Sequence, residues 1–293
     1  MSGRRYPHIM GRVFNQPLLL MPQKAQIIGR VLLDHGDLAH ADPDGVVVLK
    51  DSSLLRESED AIERDGYIVR GGVAIVDVCG TLVNKLGGCR PYSGMLGYDC
   101  IRRNFSEALR DKEVEGILLD IDSPGGEVHG CYDLAEAMFQ ARGTKPVWAA
   151  MDEVCGSAAM WVASVADRVT IAQTGLGGSI GCYYMHVDVS RMLDKAGVEV
   201  TYITDDEDED YHKTDGASEI PLSDSAYEAI QDRVYRTGML FKEAVARNRA
   251  LDLDDVIAQK AGVFMGEDAV EQGLADAVMP IDQALQEFQD ELT

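Results

Sequence analysis

Ser157 stands in Cys155-Gly156-Ser157-Ala158-Ala159, a hydroxyl among small residues with nothing bulky to cover it. Earlier in the chain, Asp122-Ser123-Pro124-Gly125-Gly126 closes the apolar run Gly116-Ile117-Leu118-Leu119-Asp120-Ile121. A serine becomes a nucleophile only with a base beside it and a place for the developing oxyanion. At the start of a helix its own and neighbouring backbone N–H groups are free. A glycine pair lets a second backbone approach closely, because no Cβ intervenes. Taken singly, Ser157 reads as a helix cap and the glycines as an ordinary turn. Taken together within an α/β pattern, they describe a serine facing an oxyanion hole.

Two residues qualify as its base, His186 and Lys213. Histidine titrates near neutrality, whereas lysine must be desolvated before it gives up its proton at working pH. Generic chemistry ranks His186 first, with a strand-end histidine of no catalytic role as the competing reading. His129 and His212 adjoin loops and are weaker candidates.

The elements that must hold these groups alternate. Val73 to Val78, Gly116 to Ile121, Pro146 to Ala150 and Arg168 to Ala172 read as buried strands. Between them, Tyr98 to Lys112 carries Ile101, Phe105 and Leu109 at helical spacing, and Gly130 to Arg142 and Ala158 to Ala166 continue the helices. Val189 to Ala196 reads as a helix and Val198 to Ile203 as a strand. Ser223 to Arg249 is a long amphipathic helix, followed by short ones around Asp254 to Lys260 and Glu267 to Gln272. Such alternation predicts stacked βαβ units with a mainly parallel sheet, an α/β fold. The organisation expected is an irregular N-terminal arm and connector over 1–68, with Ser52 to Asp65 charged and helical. A main domain over 69–280 and a helical tail over 281–293 follow.

At 293 residues and 46% apolar, the chain can build a large core. Its net charge of −23 argues against nonspecific nucleic-acid binding. The six cysteines form no CxxC pair and no metal-ligand spacing, and read as buried thiols of a reducing compartment. No apolar run reaches the roughly 18 residues of a membrane span. Leu18-Leu19-Leu20-Met21 is too short for a signal-peptide core and is flanked by prolines. The expectation is a cytoplasmic protein without an anchor.

Four segments occur in one order: Ile121-Asp122-Ser123-Pro124-Gly125-Gly126, Gly156-Ser157-Ala158, Gly178-Ser179-Ile180-Gly181 and His212-Lys213-Thr214-Asp215-Gly216. They resemble the signal peptide peptidase A family of serine–lysine peptidases, which share the ClpP/crotonase-like fold. Pro91-Tyr92-Ser93-Gly94-Met95, Gly97-Tyr98, Pro7-His8-Ile9 and Phe14-Asn15-Gln16-Pro17-Leu18 resemble its tailed-phage branch, the lambda-type capsid assembly proteases, as does the stretch from Tyr67 into Gly80-Thr81-Leu82-Val83. The resemblance covers nearly the whole chain. It implies Ser157 as nucleophile and Lys213 as general base, with His186 as the fallback. It implies Gly125 or Gly126, with Ala158, as oxyanion donors, and Gly178, Ser179, Ile180 and Gly181 along the substrate groove, Ser179 orienting Lys213. No metal or organic cofactor is implied. The implied substrates are phage scaffold, portal or other head proteins, cut by a homo-oligomer in the host cytoplasm or procapsid. Alternatives are a signal-peptide peptidase-like enzyme and a catalytically silent head component. One departure is the acidic run Asp205 to Asp210 before the lysine, expected to be a solvated loop screened from Lys213.

Overall fold

β-branched and leucine-rich runs, each followed by a stretch of helical period, leave their strands buried on both faces. That burial calls for helices on the sheet. The computed structural model describes residues 16–24, 26, 28, 61–86, 94–206 and 212–293. In chain order the strands are β1 (Pro17–Leu20), β2 (Ile62–Glu63), β3 (Ile68–Arg70), β4 (Val73–Cys79), β5 (Thr81–Val83), β6 (Met95–Gly97) and β7 (Gly116–Ser123). They continue with β8 (Gly125–Glu127), β9 (Val147–Gly156), β10 (Arg168–Ile171), β11 (Leu176–Gly178), β12 (Tyr183–Tyr184), β13 (Val263–Met265) and β14 (Ala277–Val278). The α-helices are α1 (Tyr98–Arg110), α2 (Cys131–Gln140), α3 (Ala158–Ala163), α4 (Ser190–Lys195), α5 (Asp224–Arg249), α6 (Leu253–Ala258), α7 (Glu267–Glu271) and α8 (Ile281–Leu292).

The larger sheet is parallel through its centre. β4 pairs β7 from Val73↔Gly116 to Cys79↔Asp122, and β7 pairs β9 from Ile117↔Val147 to Ile121↔Met151. The long β9 then pairs β10 along its first half and β11 along its second, ending at Gly178↔Gly156. Antiparallel β2, β3 and β13 finish the edges. A smaller sheet has the order β12-β1-β8-β5-β6. The expected α/β class with a mainly parallel sheet is therefore what the chain builds.

The core lies on both faces of β4, β7 and β9. On one face Leu119, Ile121, Ala149 and Met151 are buried with Trp161 and Phe241, whose rings stack 4.6 Å apart and join α3 to α5. On the other, Ile75, Leu118 and Trp148 are buried with Leu285 and Phe288 of α8, and the Trp148 and Phe288 rings stack at 4.8 Å. Residues 281–292 thus lie against the sheet.

Three expectations change. Pro17–Leu20, expected within an irregular arm, is a paired strand with Leu18, Leu19 and Leu20 buried, because an apolar run beside an open sheet edge gains both ladder bonds and burial. Ile62–Glu63, expected in a helical connector, pairs with Ile68–Val69 as a hairpin; most of the rest of the connector falls outside the described residues. Val198–Ile203 forms no strand: it has no pairing partner among the described residues, and Ile203 is 93% exposed. Cysteine usage differs too. Cys100 is disulfide-bonded, while Cys79, Cys131, Cys155 and Cys182 are free.

Candidate active site

β9 delivers Ser157 at its C-terminal end, and α3 starts at the next residue. The serine takes φ 55°, ψ −116°, a conformation that L-residues adopt only under constraint. Its surroundings supply that constraint. Ser157 N–H donates to Gly178 O at 2.8 Å, and Ser157 O accepts from Trp161 N–H at 3.1 Å. A strained strand-to-helix turn of this kind aims a hydroxyl away from its own strand. Here Ser157 Oγ donates to Gly181 O at a long 3.5 Å, and the residue is 1% exposed.

Gly125 lies against this turn with φ +97°, where a Cβ would stand 2.8 Å from Gly156 O and 3.0 Å from Ala158 N and would collide with Leu19 O. Only glycine permits this approach. The two glycines then diverge. Gly125 N–H turns inward to Ser123 Oγ at 3.1 Å, and that hydroxyl in turn donates to Gly80 O at 2.6 Å. Gly126 N–H points the other way, toward β1: Met21 N–H donates to Pro124 O at 2.9 Å, and antiparallel alternation makes Leu19↔Gly126 the next hydrogen-bonded pair. Ala158 N–H has no hydrogen-bond acceptor among the described residues. The serine, the Gly126 and Ala158 donors and the β1 edge thus converge.

Gly178 to Gly181 close the third side. Ser179 has φ 57°, and its N–H donates to Gly262 O at 2.7 Å; Gly181 N–H donates to Ser179 O at 2.9 Å; Ile180 is buried. Neither neighbouring cysteine competes as a nucleophile at neutral pH. Burial pushes the Cys155 thiol well up and the Cys182 thiol to about 12.

Neither candidate base lies at the serine. Lys213 is exposed in a short 3-10 turn, His212–Thr214, and makes no hydrogen bond or ion pair among the described residues. It lines a cleft of about 680 Å³ with Tyr184, Tyr202, Ile203 and Asp215, and no residue of the serine turn lines that cleft. His186 Nε2 lies 3.3 Å from Ala217 O, and His212 Nδ1 lies 2.8 Å from Asp215 Oδ2; His129 is exposed. Of the acidic run, Asp205 and Asp206 are exposed and the remainder falls outside the described residues, as do Pro7-His8-Ile9 and Pro91-Tyr92-Ser93. Sequence reasoning missed the β1 edge at this site. Its signal was Leu18-Leu19-Leu20 bounded by Pro17 and Pro22, weighed only as a leader.

Several known proteins are similar to this chain. The chain is 36% identical to the head-tail preconnector protein GP5 of Enterobacteria phage P21 over 96% of its length and 57% of that protein's. It is 34% identical to capsid assembly protease C of Escherichia phage lambda over 99% of its length and 66% of that protein's. It thus spans less than two thirds of each. Protease 4 of Salmonella typhi is 29% identical over 66% of this chain and 31% of its own. Among solved structures, a point mutant of ClpP1 from Listeria monocytogenes overlaps with a TM-score of 0.44 at 10% identity, covering 70% of this chain and 91% of that one. Among the described residues, no helix is long and apolar enough to cross a membrane. Residues 140–293, more than half of the chain and inclusive of both Ser157 and Lys213, match the model of peptidase family S49, and the chain belongs to that family.

Proposed function

We propose that the chain is a serine endopeptidase in which Ser157 is the nucleophile and Lys213 its general base. The observation that carries the reading is the convergence at one turn: a serine held at φ 55°, an Ala158 N–H without an acceptor among the described residues and a groove-facing Gly126 N–H. Ser157 Oγ attacks a peptide carbonyl as Lys213 takes its proton. Gly126 and Ala158 N–H groups hold the oxyanion, and the protonated lysine gives its proton to the leaving amine. Water then hydrolyses the acyl-enzyme. Gly178 to Gly181 border the substrate, and Ser179 orients the lysine.

Lys213 sits on an exposed excursion that also presents Val187, Met192, Val198, Val200, Tyr202 and Ile203 to solvent. Apolar surface of this extent marks a contact with another chain. We read the protein as a homo-oligomer in which covering this excursion carries the lysine to a serine. The relatives named as a capsid assembly protease and a head-tail preconnector support head proteins, scaffold or portal, as substrates. We place its action in the host cytoplasm or procapsid.

Wild type, Ser157→Ala, Lys213→Ala and His186→Ala would be incubated with the scaffold and portal proteins encoded nearby. Cleavage is expected to survive only in wild type and His186→Ala. Loss in His186→Ala with retention in Lys213→Ala moves the base to histidine. A wild type that cuts nothing but still enters head assemblies makes the chain a structural component. Equimolar Ser157→Ala and Lys213→Ala, each inactive alone, are expected to regain activity on mixing; no recovery keeps the dyad within one copy.

A further inference from the structure

The strand that fills the groove beside Ser157 belongs to the chain itself. β1 runs antiparallel to β8 on one side, Leu18↔Glu127, Leu19↔Gly126 and Leu20↔Gly125. On the other side it runs antiparallel to β12, Pro17↔Tyr184 and Leu18↔Tyr183. An extended peptide bonded on both edges is how a strand-adding substrate is held, with alternate side chains read by pockets. Leu19 is 0% exposed in the main core, whereas Leu18 and Leu20 face the opposite way, toward Tyr183 and Met185.

The register sets one carbonyl at the oxyanion donors. Leu19↔Gly126 is a hydrogen-bonded pair, so Gly126 N–H donates to Leu19 O. The same oxygen crowds the point beside Gly125 that lies 3.0 Å from Ala158 N. Just downstream, the Met21 side chain lies against Gly156, its Sδ 2.7 Å from where a Cβ would stand. The chain therefore crosses the serine turn at Leu19 to Met21.

We propose that β1 is the enzyme's first substrate: Ser157 cuts the Leu19–Leu20 bond of its own chain, which opens a groove selective for leucine at the same position. This rests on Ser157 and Lys213 acting as proposed above. Ser157 Oγ attacks the Leu19 carbonyl carbon, and its proton passes to the base. The Leu19–Leu20 C–N bond breaks, and the Leu20 nitrogen takes the proton to leave as a new amino terminus. Water then cleaves the Ser157–Leu19 ester, releasing residues 1–19 with a Leu19 carboxylate and restoring the serine. Until that step Ser157 is covered, so a second peptide has no access to it.

The test follows the full chain by intact mass and amino-terminal sequencing, with casein digestion as a separate readout of Ser157 chemistry. Wild type is expected to yield a chain beginning at Leu20 and a fragment ending at Leu19. Ser157→Ala should do neither. In a mixture, mass-tagged Ser157→Ala is expected to stay whole beside wild type, because its own groove shields its strand. Tagged Ser157→Ala cut by wild type would overturn the in-chain step. A wild type that digests casein yet keeps its first residue, or is cut elsewhere, overturns the self-cleavage and leaves Ser157 as nucleophile. A wild type that cuts neither casein nor itself overturns both.

Discussion

The two halves of the proposed dyad sit in opposite surroundings. Ser157 is buried, with its N–H and C=O in short backbone bonds and three separate segments packed around it. Lys213 is exposed on an excursion whose apolar side chains face solvent. The serine is positioned by the fold of one chain, since β9 and β11 run in register to Gly156 and Gly178 and Gly178 O holds the Ser157 N–H. The Lys213 side chain makes no hydrogen bond or ion pair among the described residues. In the proposed reading assembly finishes what folding starts, so variants on the two sides should behave differently.

The largest effect is expected on the sheet side. Phe288→Ala removes a buried ring stacked on Trp148. It should lower unfolding stability by about 3–5 kcal/mol in a denaturant titration. A loss near zero would detach α8 from the domain and break the contrast. Gly126→Ala comes next. Its Cβ would collide with Leu82 O, a backbone atom of the neighbouring strand that no rotamer change relieves. About 1–3 kcal/mol of stability should go, together with peptidase activity, because the donor strand shifts. Unchanged activity would take Gly126 out of the oxyanion site.

Asp122, at the end of β7, sharpens the same side through pH. Burial, then the Glu153 and Asp152 charges, raises its carboxyl above the usual range, against a backbone bond from Val154 that lowers it. A carboxyl raised in the folded state binds its proton better there than unfolded. Stability therefore falls as pH rises from the unfolded toward the folded pKa, and stays lower at neutrality. Asp122→Asn should raise unfolding stability at neutral pH by less than about 1 kcal/mol in a denaturant titration, and the gain should vanish in acid. A gain that persists in acid would assign the effect to something other than charge.

Much of the sheet side was legible because its signals are local. Val73 to Val78 and Gly116 to Ile121 read as strands by composition alone, and Gly-Ser-Ala after a strand marks a turn to a helix. What the residues could not reveal depends on partners distant in sequence. Leu18 to Leu20 becomes a strand only because β8 and β12 offer edges, and Val198 to Ile203 fails to become one because nothing among the described residues pairs with it. Gly125 and Gly126 looked equivalent, and only the ladder distinguishes the donor that faces β1 from the one held by Ser123. The choice of Lys213 over His186 came from resemblance, since geometry within the chain brings neither to Ser157.

The smallest effect on the chain itself, and the one that probes the other region, is expected at Ile203. Its side chain is 93% exposed, so Ile203→Ser removes almost no burial from the folded chain. Unfolding stability of the dissociated protein should move by no more than about 0.5 kcal/mol. If a second copy covers the excursion, the same substitution removes apolar area from that contact, at roughly 25 cal/mol per Å². Sedimentation should then show weaker association. Activity should fall in proportion to the lost oligomer and recover at higher protein concentration by mass action. A fall in activity that concentration does not restore would place Ile203 in the groove instead. A loss of chain stability would mean that the excursion packs on its own domain, and the division between a serine set by folding and a lysine set by assembly would fail.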